Sequence, residues 1–402
     1  MNGRDGEAGP QRNFARDVVS AVLFVGASAG LTNLFAFIAR SRLGAAEQWV
    51  GIIGAAGYIG YLWNLFLARV TARLSVRRGM LVMMAACGAL LWIGAFQHRV
   101  WPYCLAVIAF VSILGLWEVQ YNTLVGALYD VGTRPRILSR RYLSVSIATA
   151  LLAVVFGRLS NGEDGHLWAF LIAGAMTLAG AAVFRNIRTT QEHHMAPFHP
   201  LDVARTVWHD RRFRRLAAIL TFYGWVGAGV GTLLALFYSA IGFEEGEVGL
   251  LSAVRIAGAL AGLLVVTPRL RFAGGISNFR LCFVSSAAAM AIFLIAGSAD
   301  LGRWRFGVLA CGEFAFGISA AGFQLAIQTT GLSLAGPGQS TLYVNALMIV
   351  QGLRGMIAPI LVAMTLRYAG LQPTLIASVA VAMVCATLVL LPGIDGEAAP
   401  RA

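Results

Sequence analysis

Apolar residues along this chain gather into long stretches separated by short polar or arginine-bearing segments. Within the stretches they run continuously or with helical spacing, and do not alternate every second residue. A helix of about 20 residues, rising 1.5 Å at each, crosses a ~30 Å hydrocarbon core. The pattern therefore predicts an all-α integral membrane protein rather than a β-barrel. Twelve spans are expected, at about 17–39, 48–68, 79–97, 102–126, 141–160, 166–184, 216–240, 248–267, 279–298, 306–330, 341–366 and 372–392. Connections are short except for 185–215, a polar and basic stretch that divides the chain into six spans and six. Within it Pro200 could open a short surface helix carrying Val203, Val207 and Trp208. The expected organisation is a polar tail over 1–16, a six-helix bundle over 17–184, a linker over 185–215, a second bundle over 216–392 and a tail over 393–402.

Composition agrees. Of 402 residues 58% are apolar and 12% charged, and mean hydropathy is +0.74. A soluble domain is about half apolar and a quarter charged. The net charge is +13, and all 31 basic residues are arginine. With the N-terminus placed inside, 22 arginines fall on inner segments, seven on outer ones and two within spans. That bias is the orientation signal of membrane helices, and it predicts both termini in the cytoplasm of a bacterial inner membrane. It also makes the basic balance a membrane property and not a sign of nucleic-acid binding. The first residues, MNGRDGEAGPQRNFARD, lack the apolar core and cleavage site of a secretory signal.

Several conspicuous groups predict no chemistry. Cys87, Cys104, Cys282, Cys311 and Cys385 have no CxxC spacing and read as small packing residues. Glu192, His193, His194 and His199 lie together in the linker and read as solvated, not as a metal site. Glu244, Glu245 and Glu247 read as a solvated turn before span eight. GWVGAGVG at 224–231 follows no strand, and its small residues suit close helix packing better than a phosphate. No nucleophile–base constellation stands out, so an enzyme is not expected, nor a cofactor.

The two halves match weakly. WVGIIGAAGYIG (49–60) and EVGLLSAVRIAG (247–258) align through Val50/Val248, Gly51/Gly249, Ala55/Ala253 and Gly60/Gly258, at offset 198. SRRYLSVSIA (139–148) and STLYVNALMI (340–349) align through Ser139/Ser340 and Tyr142/Tyr343, at offset 201. Two matches at nearly one offset, both at equivalent span starts, suggest a duplicated six-span unit, as in many secondary transporters.

With this 6+6 plan, a basic central loop ending HDRRFRRL and the repeat, the chain resembles the major facilitator superfamily over about 17–392. The superfamily's loop between spans two and three has the form G-x-x-x-D-R-x-G-R-R. Here that place reads ARVTARLSVRRGM (68–80). Arg73, Arg77 and Arg78 keep its basic character as a gating loop, whereas Ala68, Ala72 and Ser75 replace its glycines and aspartate. The resemblance implies two pseudo-symmetric six-helix bundles that rock about a central cavity lined by spans one, four, seven and ten.

Four ionisable residues lie well within spans: Glu118, Arg255, Glu313 and Arg354. A mid-bilayer charge costs ~2.5–3.5 kcal/mol on insertion scales, so each should face protein or a wet cavity. Arg255 and Glu313 each lie about seven residues from the outer ends of their spans, roughly 10 Å deep, which makes them a plausible pair. Such a pair is a structural salt bridge or a switch, and the sequence leaves both open. Glu313, Gln324 and Gln328 fall within about 60° of one another on span ten, with Gly317 on the same stripe. Glu118 and Asn122 share a face of span four, with Tyr121 beside them. Thr32 and Asn33 on span one, and Tyr223 and Trp225 on span seven, complete the polar positions expected at the cavity. Asn64, Asn345 and the serines read as interhelical hydrogen-bonding groups.

A carboxylate in a low-dielectric cavity can load and release a proton near neutral pH, which makes Glu118 and Glu313 candidates for proton coupling. An arginine offers a charged planar fork to a carboxylate or phosphate, so Arg255 and Arg354 are candidates for holding an anion. Some organic-anion carriers of the superfamily are similar in placing cations on spans eight and eleven. Gly352, Gly355 and Pro359 suggest that span eleven bends. The expected function is monomeric, proton-coupled carriage of a small organic anion or an amphipathic metabolite or drug through the lipid bilayer. The alternative is a non-transporting receptor or assembly factor of the same fold.

Overall fold

The computed structural model of the chain describes residues 5–71, 75–129, 134–187, 205, 209–270, 279–334 and 340–390. Among them there is no strand. The helices are α1 (Asp5–Ala21), a π turn (Val22–Gly26), α2 (Ala27–Ser41), α3 (Glu47–Thr71), α4 (Val76–Ala95), α5 (Val100–Leu128), α6 (Arg134–Ser160) and α7 (Gly165–Phe184). They continue as α8 (Arg211–Gly227), α9 (Val230–Ala240), α10 (Glu245–Leu270), α11 (Arg280–Ser298), α12 (Arg305–Leu334), α13 (Ser340–Ala369) and α14 (Leu371–Leu390).

All twelve expected spans are met. The first is α1, the π turn and α2 end to end; the seventh is α8 and α9, interrupted at Ala228–Gly229. Eleven spans are long and apolar enough to cross a membrane among the described residues, and α3, at 25 residues, occupies the second. Two helices begin well before their apolar stretches, α1 at Asp5 and α6 at Arg134. Polar residues extend a helix beyond the lipid at little cost, and hydropathy does not register them. The interruption of the seventh span falls in the glycine-rich run: a Cβ on Gly229 would meet the Trp225 carbonyl and, at 2.6 Å, Val362. The possible helix at Pro200, and the linker histidines with Glu192, lie outside the described residues.

By residue contacts the chain forms two compact units. Unit one holds 1–45, 63–197 and 242–253; unit two holds 46–62, 198–241 and 254–402. In unit one α4 packs on α5 and α7, and α2 on α6. Its core is aromatic: Phe35 meets Phe110 and Phe170 edge-on, with Tyr103 beside Phe170. In unit two α11 packs on α12 and α14, and α8 on α13 and α14. Trp92, Trp101, Trp168, Leu151 and Leu264 are exposed, as side chains that face acyl chains should be. Of the cysteines four are buried, as expected of packing residues, while Cys311 is exposed.

The repeat read from the sequence recurs as packing. The turns entering α3 and α10 use Gly44 (φ 64°) and Gly242 (φ 77°), again 198 residues apart, in the left-handed region that glycine enters without strain. One turn into each helix, Gly51 and Gly249 make the matched close contacts. In unit two a Cβ on Gly51 would lie 2.9 Å from Ala363 and 3.1 Å from the Pro359 carbonyl of α13. In unit one a Cβ on Gly249 would strike the Ala153 carbonyl and lie 2.9 Å from Gly157 of α6. Each crossing is backbone on backbone, which only small residues permit.

Candidate functional site

The charged centre of unit two starts from a seam of glycines. On α10, Cβ atoms at Gly258 and Gly262 would collide with the Phe314 and Ile318 backbone of α12. On α12, one at Gly317 would collide with the Arg255 carbonyl. Because the two backbones touch, Arg255 lies flat along Glu313. Its Nε donates to Oε2 at 2.5 Å and its Nη2 to Oε1 at 2.7 Å. Tyr238 of α9 donates to the same Oε1 at 2.6 Å, and Arg255 also stands 5.5 Å from the Phe316 ring. Glu313 is 1% exposed and Arg255 half-buried, so the carboxylate of this bidentate pair is the buried member.

Arg354 on α13 differs. It is 5% exposed, yet among the described residues it has no carboxylate partner. Its Nη1 donates to the Leu220 carbonyl of α8 at 2.8 Å, and its Nε is buried with no acceptor. The guanidinium stands 4.7 Å from the Phe323 ring and 6.0 Å from that of Tyr223. Gly224 gives it room: a Cβ there would come within 3.0 Å of the Arg354 stem. Gly355 does the same for Tyr58 of α3, whose ring a Cβ would strike. Gln351, one turn earlier, is also buried with its amide nitrogen unpartnered.

The neighbours expected at the cavity have the following partners. Tyr223 is buried, and its hydroxyl lies 2.5 Å from Ser286 and 3.0 Å from Ser319. Ser319 in turn donates to the Cys282 carbonyl at 2.7 Å. Trp225 is half-buried and donates to Ser378 of α14 at 3.1 Å. Gln324 is half-buried beside Phe323, while the side chain of Gln328 lies outside those described.

In unit one Glu118 is half-buried on α5, near Tyr142 of α6. Asn33 is half-buried, and Thr32 donates to the Ser28 carbonyl at 2.8 Å. The Asn122 side chain lies outside those described. Tyr121 turns from this face to a buried cluster at Asp17. Asp17 Oδ2 accepts from Tyr121 at 2.8 Å and from Tyr129 at 2.7 Å, and Oδ1 from Arg141 Nε at 3.3 Å. The Arg141 guanidinium lies 4.0 Å from the Tyr121 ring, on which Trp117 stacks at 5.1 Å. Burial and the Asp17 carboxylate push the Tyr129 phenol above its ordinary value, keeping it a donor.

The predicted solvated turn at Glu244, Glu245 and Glu247 needs correcting at Glu245, which is 8% exposed. It pairs with Arg42 at 2.7 Å. Arg42 also donates to the carbonyls of Ser160, Gly162 and Glu163, so one guanidinium ties α2, α10 and the α6–α7 turn together. Asn161 adds a bond to Glu244 and accepts from the Gly246 amide at 2.7 Å.

A family model of the Major Facilitator Superfamily matches residues 18–359. The chain belongs to that superfamily. The structure is similar to that of nucleoside transporter NupG, at TM-score 0.73 and 14% identity over 99% of this chain and 100% of that one. It is similar to tetrameric PepTSo2, at TM-score 0.67 and 15% identity over 95% and 97%. It is also similar to a bacterial homologue of the human lysosomal transporter Spinster, inward-facing and unoccupied, at TM-score 0.67 and 14% identity over 97% of each chain. At such identities the likeness is one of fold: twelve membrane helices arranged as in this superfamily. No curated protein matches the chain in sequence.

In the superfamily's loop Arg73 lies outside the described residues, Arg78 is exposed, and Arg77 donates to the Arg185 carbonyl at the end of α7. Three groups had no place in the sequence reading: Tyr238 on Glu313, the Asp17 cluster and the Arg42 tie. Asp17 alone offered a signal, as an acid at the very start of span one.

Proposed function

We propose that this superfamily member is a monomeric secondary carrier of a small organic anion or an amphipathic metabolite or drug, coupled to protons. Bundles over 17–184 and 216–392, joined by the 185–215 linker, rock to expose the site to each side in turn. The arginine bias favours a bacterial inner membrane with both termini cytoplasmic. The observation that carries the proposal is Arg354: a buried cation within a membrane span and, among the described residues, without a carboxylate. Such charges, rare within membrane spans, mark substrate and ion pathways. Arg255 is already matched by Glu313, which leaves Arg354 as the anion's contact. Glu118 and Glu313 are the proton-coupling candidates, and they are not equivalent. A proton on Glu313 cancels the charge that holds Arg255, whereas Glu118 is half-buried and so nearer to water.

Purified protein in liposomes, with a pH-sensitive dye inside, tests this. Substrate-dependent proton movement should disappear in Glu118→Gln or Glu313→Gln while folded protein persists. Anion uptake should be lost in Arg354→Ala. If both glutamine variants move substrate as the parent does, proton coupling is wrong. One observation favours a non-transporting receptor: the loop at 68–80 lacks the superfamily's aspartate and glycines. Saturable ligand binding with no flux under any gradient would decide for it.

A further inference from the structure

We infer that the ligand of Arg354 is a monocarboxylate with a flat apolar body, an inference that rests on the anion proposal above. Arg354 spends Nη1 on the Leu220 carbonyl. Its Nε is buried without an acceptor, and among the described residues nothing accepts from Nη2. The unspent groups are thus the Nε–Nη2 edge, the edge that grips the two oxygens of a planar carboxylate. Gln351, on the same helix one turn before, holds a buried and unpartnered amide nitrogen as a neutral third donor.

The charge count sets the valence. Among the described residues the ionisable side chains that face Arg354 are Tyr58, Tyr223 and Cys385, none of them a carboxylate. The other intramembrane arginine of unit two, Arg255, is cancelled by Glu313. The site therefore offers one positive charge. A dicarboxylate or a phosphate dianion would bring a second negative charge into low dielectric without a counter-ion. The walls set the shape. The ring faces of Phe323 and Tyr223 flank the guanidinium, and Tyr58 closes over Gly355. Tyr223 and Phe323 pack on each other at 4.9 Å and the Tyr223 hydroxyl is engaged by Ser286 and Ser319, so this side presents ring carbon to a flat apolar body.

The test is equilibrium binding to the detergent-purified full chain, by calorimetry, of benzoate, acetate, phthalate, phenyl phosphate and benzamide. Benzoate should bind at least about tenfold tighter than each of the others, and Gln351→Leu should weaken it about tenfold. Arg354→Lys, which keeps the charge but loses the fork, should weaken benzoate more than Gln351→Leu does. Phthalate or phenyl phosphate binding as tightly as benzoate overturns the single-charge inference and leaves the anion proposal standing. Acetate equal to benzoate overturns the flat body. Benzamide equal to benzoate, or no anion binding at all, defeats the anion proposal and this inference with it.

Discussion

Glu313 receives Arg255 along two parallel bonds and Tyr238 on the same carboxylate, with no more than 1% of its surface exposed. An ion pair this deep costs more to break than to replace. Glu313→Gln leaves Arg255 without its counter-charge and should lose about 3–5 kcal/mol. The double change Arg255→Met with Glu313→Leu should return to within about 1 kcal/mol of the parent, or exceed it. Unfolding by denaturant in detergent measures both. A single variant as stable as the parent would show that the pair is not made.

Asp17 is the acceptor for two phenols and an arginine. Asp17→Ala strands all three donors and should cost about 3–5 kcal/mol. Tyr129→Phe removes one hydroxyl and should cost about 1 kcal/mol. The ratio between the two, read from the same unfolding curves, is the check. Equal losses would mean that the Arg141 contact carries no weight.

Gly249 and Gly231 provide a paired test of helix crossing. A Cβ on Gly249 meets the α6 backbone, whereas one on Gly231 meets nothing within 4 Å. Gly249→Ala should destabilise by about 1–3 kcal/mol, because backbone cannot yield as a side chain can. Gly231→Ala should be neutral or stabilising by up to about 1 kcal/mol from helix propensity. Thermal unfolding that ranks them the other way would refute the close α6–α10 crossing.

Arg42 and Glu245 are partners of unequal importance. Glu245→Ala leaves Arg42 its three backbone carbonyls and should cost about 1 kcal/mol. Arg42→Ala removes every bond at once and should cost at least about twice that. Proteolysis at the 160–164 turn should rise only in the arginine variant.

Some of this was legible before any coordinates. The depth of Arg255 and Glu313 along their spans predicted that they could meet, and they do. The glycines 51 and 249 appeared as a repeat, and each makes the same kind of contact. Tyr223 and Trp225 were legible only as polar positions on span seven, and the structure turns them to Ser286, Ser319 and Ser378. Tyr238 was invisible, because its role depends on where α9 points and not on α9 itself. Glu245 looked solvated because its partner lies 203 residues away at Arg42.

The sequence by itself determined the number of membrane helices and the apolar stretch of each, since these follow from hydropathy and a fixed rise per residue. Only the tertiary structure decided which helix each polar face meets, and so which arginine meets a carboxylate and which, among the described residues, does not. The reason is that lipid and neighbouring helices are equally apolar, so helical periodicity marks a face without saying what lies against it.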